Sequence, residues 1–348
     1  MKRLLCVVMT LVLSVALFAA CAAPAEQPAS SAPASGETPS EAASQESSAA
    51  DAGKVLKIGI LQLVEHPALD ASYQGFVDGL KEAGYEDGKN ITIDYQNAQG
   101  EQANCQTVAT KFVNDKDDLI LAIATPAAQA VANATKDIPI LVTAVTDPVT
   151  AKLVESNEKP GTNVSGTSDL NPIADQIALL KQIVPDVKTV GFMYSSSEAN
   201  SKFQIDLAKS ECEKLGIKTI EGTVSNSNEI QQVAQSLVGK CEALYIPTDN
   251  TLASAMATIS LVTEPAKLPV IVAEEGMVTN GGLATYGLNY YNLGKQTAAM
   301  AVKVLKDGAK PADMPIEYLE ECDLVLNTDV AAKIGITFPQ ELLDKAKK

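Results

Sequence analysis

KVLKIGILQL (54–63) packs Val55, Leu56, Ile58, Ile60, Leu61 and Leu63 into one short run and reads as a buried strand. Residues 70–84 follow with the spacing of an amphipathic helix that stops at Gly84, and NITIDYQ (90–96) reads as the next strand. Strand, helix, strand predicts a parallel pair, because a parallel connection needs a crossover long enough to hold a helix. The alternation continues through a helix at 101–115, the strand DLILAIAT (118–125), a helix at 126–136 and the strand IPILVTAV (138–145). This predicts a doubly wound α/β lobe.

A second series begins after Gly161. It has a helix at 172–184, strand TVGFMYS (189–195), a helix at 199–215, strand IKTIEGT (217–223) and a helix at 227–238. Strand ALYIPT (243–248), a helix from Asp249 and strand PVIVAE (269–274) complete it. The architecture is made twice, without a sequence repeat. The stretch from Gly282 then predicts a strand and a long helix stopped by Gly308, followed by a strand within 316–327 and a closing helix.

Upstream, Lys2 and Arg3 precede an apolar run from Leu4 to Phe18, then Ala19, Ala20 and Cys21. This is the order of a secretory leader (1–20), and Cys21 sits where a lipid anchor is attached. Residues 21–53 are dominated by Ala, Ser, Pro, Glu and Gln, lack large apolar side chains and predict a disordered tether. An extracytoplasmic, membrane-anchored protein is expected. The formal net charge is −16, and removal of Lys2 and Arg3 with the leader leaves −18. Such a surface disfavours nucleic acid as a partner. Cys105, Cys212, Cys241 and Cys322 form no metal-binding spacing; a Cys212–Cys241 bridge is open, and four small hydrophobes are the simpler expectation.

Enzyme motifs are largely missing. There is no GxSxG, HExxH or GxGxxG, and the Gly-Lys pairs in GYEDGKN (84–90) and NLGKQT (292–297) lack phosphate-loop spacing. His66 is the single histidine, so no multi-histidine metal site is expected, nor any cofactor. Ligands of open α/β sheets bind at the carboxyl ends of the strands, and polar residues gather there. His66 falls in HPALD (66–70), where it either lines a cleft or bonds the turn. Thr125 is placed to cap a helix that begins at Pro126, whose first turn suits an anion. Thr146 and Asp147 follow one strand of the first lobe. Ser195, Ser196, Glu198, Asn200 and Ser201 follow one strand of the second lobe, and Asp249 and Asn250 another. Hydroxyls and amides facing acids suit a zwitterion.

HPALD, TPAAQA (125–130), AVTDPV (144–149), PGTNVSGTSD (160–169), EANS (198–201) and PTDN (247–250), in that order, resemble ABC-transporter substrate-binding proteins. That family includes tryptophan- and tyrosine-type aromatic amino-acid binders. The resemblance runs from Lys54 to the end. It implies a type I periplasmic-binding-protein fold, with two lobes joined by a multi-strand hinge that closes over a ligand. It also implies a monomer that docks on an ABC permease. Crossings near 165–169, 284–289 and 318–323 would divide the chain into one lobe of 54–165 plus 285–318 and another of 166–284 plus 319–348. By the same resemblance Thr125, Ala127 and Thr146 would hold a ligand carboxylate, and Asp249, Glu198 and Asn200 are candidates for its ammonium. Leu63, Tyr73, Tyr194 and Tyr290 are candidates for an aromatic wall.

Three other readings stay open. A sugar or nucleoside would also suit the polar cleft, although the chain is only 4% aromatic and has no Trp. A surface sensor would share the fold. An exported hydrolase could use Glu274 and Glu275, but adjacent strand residues face opposite ways and make a poor acid/base pair.

Overall fold

The computed structural model describes residues 54–347. The leader, the tether and Cys21 lie outside the described residues. The first series folds as β1 (Leu56–Gln62), α1 (Pro67–Glu82), β2 (Ile91–Asn97), α2 (Gln102–Asp115), β3 (Leu119–Ile123), α3 (Thr125–Ala134), β4 (Ile140–Val145) and β5 (Val164–Ser168). The second is α4 (Ile173–Ile183), β6 (Thr189–Ser195), α5 (Ala199–Lys214), β7 (Lys218–Val224), α6 (Ile230–Leu237) and β8 (Ala243–Ile246). It continues as α7 (Asn250–Ala253), α8 (Met256–Thr263), β9 (Val270–Val272), α9 (Glu275–Thr279) and β10 (Ala284–Leu288). The chain ends with α10 (Tyr290–Asp307), β11 (Glu317–Tyr318), β12 (Cys322–Leu326), α11 (Thr328–Ile334) and α12 (Gln340–Lys345).

Two six-stranded sheets result, ordered β11-β5-β4-β3-β1-β2 and β12-β10-β9-β8-β6-β7. The first is parallel throughout. The second is parallel except for β12, which runs antiparallel to β10. β3, β4 and β5 are buried along their whole length, as strands covered by helices on both faces must be. Phe76, Phe112 and Leu121 sit in the first lobe's core, while the second lobe packs Phe192 edge-on to Tyr245 at 5.9 Å between ring centres. Each such side chain contributes about 1.5–3 kcal/mol by leaving water.

The chain passes between sheets after β5, between β10 and α10, and between β11 and β12. The sequence boundaries shift by a few residues: β5 stays paired in the first sheet to Ser168, and β10 pairs wholly in the second. The strand expected within 316–327 is two strands in two sheets, because the crossing at 319–321 interrupts it. The crossing expected at 165–169 is β5, the helix expected from Asp249 is divided into α7 and α8, and α9, only five residues long, has no period by which the sequence could reveal it.

α10 ends as predicted, with Gly308 in the left-handed region at φ 67°. Its return onto α1 is set by glycine. A Cβ on Gly75 would lie 2.0 Å from the Tyr291 carbonyl oxygen, and one on Gly294 would lie 2.0 Å from that of Ser72. The two helices therefore meet backbone to backbone, which anchors the second crossing to the first lobe. Cys105, Cys212, Cys241 and Cys322 are all unbridged, the first three buried.

Candidate functional site

Between the lobes, at the carboxyl ends of β4, β5, β8 and β9, lies a small, largely enclosed cavity, narrow in this closed arrangement. His66, Ala144 and Tyr290 come to it from the first lobe, and Asn200, Thr248, Asp249, Asn250, Met277 and Glu274 from the second, with Asp169 from the first crossing.

On the first-lobe side, the backbone is unusual. Ala124 holds φ 82° as the residue preceding α3, and Ala144 holds φ 55° where the β4–β5 register shifts between Val142 and Val145. Side chains disfavour both conformations, and such strain persists where the surroundings enforce it. Thr125 is not the helix cap the sequence suggested. It is the first helical residue, and its buried hydroxyl has no hydrogen-bond partner. The first bond of α3 runs from the Ala128 amide to the Ala124 carbonyl at 3.0 Å, so the amides of Thr125 and Ala127 precede the ladder. Thr125 lies beside Asp147, Asn200 and Phe203 in a small recess that shares Asn200 with the main cavity. Asp147 accepts the Thr150 amide at 2.6 Å and shapes the turn. Ala127 is buried in the first core, while Pro126 and Leu63 border a wider outer cleft.

The His66 side chain does not cap its own turn, whose bond runs from the Asp70 amide to the His66 carbonyl at 3.0 Å. Its Nε2 lies 3.2 Å from Asn250 Oδ1 in the opposite lobe. Burial lowers the His66 pKa to about 4, so the ring is neutral at pH 7. Asn250 Nδ2 donates to Glu198 Oε2 at 2.5 Å, which leaves Oδ1 to accept and assigns the His66 proton to Nε2. A second cross-cleft contact joins Thr146 Oγ1 and Thr248 Oγ1 at 3.3 Å, and a third runs from Gln204 Nε2 to Thr146 Oγ1 at 3.2 Å. The lobes are closed on one another.

On the second-lobe side, Asp249 accepts from the Ser195 amide (2.6 Å), Ser201 Oγ (2.7 Å) and the Leu252 amide (2.9 Å). Burial, and the Glu198 charge beside it, push its carboxyl up. Glu198 accepts the amides of Asn250 (3.1 Å) and Thr251 (2.9 Å) together with Thr251 Oγ1 (2.8 Å). Asn200 Nδ2 donates to the Thr248 carbonyl at 2.8 Å, and its Oδ1 is unpaired.

Tyr194 is placed away from this cavity. With Phe192, two residues back on the same strand face, it enters the core under α4 and α5, and its hydroxyl donates to Glu221 at 2.6 Å. Tyr73 lies against Tyr95, ring centres 4.5 Å apart. Of the expected aromatic wall only Tyr290 lines the cavity, where its hydroxyl donates to Asp169 Oδ2 at 2.8 Å.

Sequence reasoning assigned no binding role to Asp169 or Glu274. Both follow strands, β5 and β9, at their carboxyl ends, the signal already used for Asp147 and Asp249. Each is 3% exposed or less, and Asp169 Oδ1 and Glu274 Oε1 have no partner. Burial raises both carboxyl pKa values, that of Glu274 to about 7. Glu275 faces outward and pairs with Lys347 at 3.1 Å.

Two doubly wound lobes, three crossings and a closed cavity at the strand ends define a solute-binding protein of the type I periplasmic-binding-protein fold. The chain belongs to the ABC transporter substrate binding protein family, whose model matches residues 57–348. It is an extracytoplasmic binding protein and not an enzyme. A tyrosine-binding protein from Clostridioides difficile (strain R20291) is 48% identical over 286 residues, 82% of this chain and 83% of that one. An ABC domain from Streptococcus pneumonia, solved in complex with L-Trp, is 42% identical with a TM-score of 0.82, over 84% of this chain and 99% of its own. A ligand-free, open substrate binding protein with adhesive properties from Clostridium difficile is 50% identical with a TM-score of 0.65, over 84% and 98%. The open relative is more similar in sequence yet superposes less well, in keeping with the cross-cleft bonds that close this chain.

Proposed function

We propose that this protein captures an aromatic amino acid between its lobes and presents it to the permease of an ABC importer. The observation that carries the reading is a buried, unpartnered Thr125 hydroxyl in the recess that shares Asn200 with the main cavity, together with the buried carboxyls of Asp169, Asp249 and Glu274 that line that cavity. The similarity to proteins described as tyrosine-binding and as an L-Trp complex supports the aromatic class. The carboxylate would sit at Thr125, Ala127 and Thr146, with the ring against Ala144, Ala253, Met277 and Tyr290. Asp249, Glu198 and Asn200 are the candidates that the family resemblance implies for the ammonium. A lipid on Cys21 would hold the protein at the membrane, with residues 22–53 as tether. Micromolar affinity, about −8 kcal/mol, would suffice to shift the lobes toward closure.

Native mass spectrometry before and after mild unfolding, followed by a thermal-shift panel, tests this. A retained mass of Tyr, Trp or Phe and a raised midpoint with the same compound are expected. Stabilisation by a sugar or nucleoside alone would keep the fold and remove the amino-acid reading.

A further inference from the structure

An amino acid's ammonium needs acceptors that the protein has not already used. Asp249 and Glu198 are poor candidates on that criterion. The three bonds to Asp249 and the amide and hydroxyl bonds to Glu198 all come from the protein itself. These two carboxylates are occupied in holding α5, α7 and the ends of β6 and β8 together.

Asp169 and Glu274 differ. Tyr290 occupies Asp169 Oδ2, and the Gly276 amide occupies Glu274 Oε2 at 2.7 Å. The second oxygen of each is buried without a hydrogen-bond partner of good geometry, although the Thr146 hydroxyl near Asp169 and the Met277 amide near Glu274 temper the rise of their pKa values, and both residues line the cavity. No Lys or Arg lines that cavity, and its single histidine is neutral. Two buried carboxyls without a cation are costly, and the cost falls when a ligand brings positive charge and N–H donors. Asn200 Oδ1 and His66 Nδ1 are also unpaired, but neither carries a charge to be compensated.

We propose that Asp169 and Glu274, oriented by Tyr290 and the Gly276 amide, form the ammonium subsite, in place of Asp249 and Glu198. The inference rests on the reading of the solute as an amino acid. Asp169 comes from a crossing and Glu274 from the second lobe, so an ammonium between them ties the hinge to the moving lobe.

The test is calorimetric titration of the purified protein, Glu274→Gln and Asp169→Asn with L-tyrosine and with 3-(4-hydroxyphenyl)propionate, the same molecule without its amine. Each variant should bind L-tyrosine at least tenfold more weakly and the desamino compound no more weakly than the parent. The ligand-free melting midpoints should not fall, because each variant keeps its protein hydrogen bond and loses an unpaired buried acid. Unchanged affinity for L-tyrosine, or an equal loss for both compounds, would overturn the subsite. If the parent binds no aromatic amino acid, the proposed function fails separately. The variants are then compared on whichever solute the panel identifies: a loss confined to an amine-bearing solute keeps the subsite, and a best solute without an amine removes it.

Discussion

In the first lobe, Ala124 follows β3 and Ala144 lies near the end of β4, small residues in left-handed backbone, the first of them just before Thr125, whose buried hydroxyl has no partner. In the second, β8 and β9 run toward Asp249 and Glu274, buried acids tied to neighbouring amides. One topology thus presents unusual backbone on one side and buried side-chain acids on the other. A zwitterion, with opposite charges at opposite ends, is the solute such a pair of walls suits. The second wall divides again, into acids that hold the protein together and acids left for a ligand.

The contrast within that wall is broken or sharpened most by Glu198→Ala. Removal of an acceptor that holds the start of α7 should cost about 3 kcal/mol in denaturant unfolding, since the buried amides of Asn250 and Thr251 lose their partner. A loss below about 1 kcal/mol would mean that Glu198 is not a structural pin.

Gly276→Ala tests closure. A Cβ there would lie 2.8 Å from Pro67 Cβ in the other lobe and 2.9 Å from Glu274 Oε2, so ligand affinity should fall about tenfold or more through overpacking of about 1–3 kcal/mol, and the degree of compaction separates obstructed closure from displacement of Glu274. Small-angle scattering should show the variant failing to compact on ligand addition; full compaction would refute the steric argument.

The pH dependence should have opposite signs for stability and for binding. Glu274 has a folded pKa near 7, raised from 4.5, so its contribution to ligand-free stability is present below the unfolded value and lost as pH rises through about 7. His66, lowered from 6.5 to about 4, contributes above the unfolded value and loses that contribution as pH falls toward 4. The groups sharing the cavity with Glu274 are Asp169, Asp249, His66 and Tyr290; Glu275 beside it is paired with Lys347, which also meets Asp323. Affinity for an amine should therefore rise between about pH 6 and 7.5, by at most about tenfold per unit, while the ligand-free midpoint declines. A flat affinity profile would exclude ionisation of Glu274 on binding.

Thr125→Val carries the smallest effect. Its hydroxyl has no protein partner, so ligand-free stability should hold while affinity falls by about 1 kcal/mol, a factor near five. A lower melting midpoint with unchanged affinity would make the residue structural.

Much of the fold was legible because strand and helix periods, Pro67 and Pro126 at helix starts, and Gly308 at a helix end are local signals. That a cavity would lie at the strand ends followed from the rule that ligands of open α/β sheets bind there. The same rule overreached at Tyr194, whose strand face sends the ring into the core, and fell short at Asp169, which closes the motif PGTNVSGTSD without a role of its own, and at Glu274, weighed only as half of a hydrolase pair. The sequence alone determined two α/β lobes, polar strand ends and the absence of a multi-histidine site. Tertiary structure decided that 316–327 divides between two sheets, that α1 and α10 meet through Gly75 and Gly294, and which acids remain free. The physical reason is range. A period or a cap is written within a few residues, whereas Glu198 is satisfied by an amide 53 positions away and Asp169 by a hydroxyl 121 positions away.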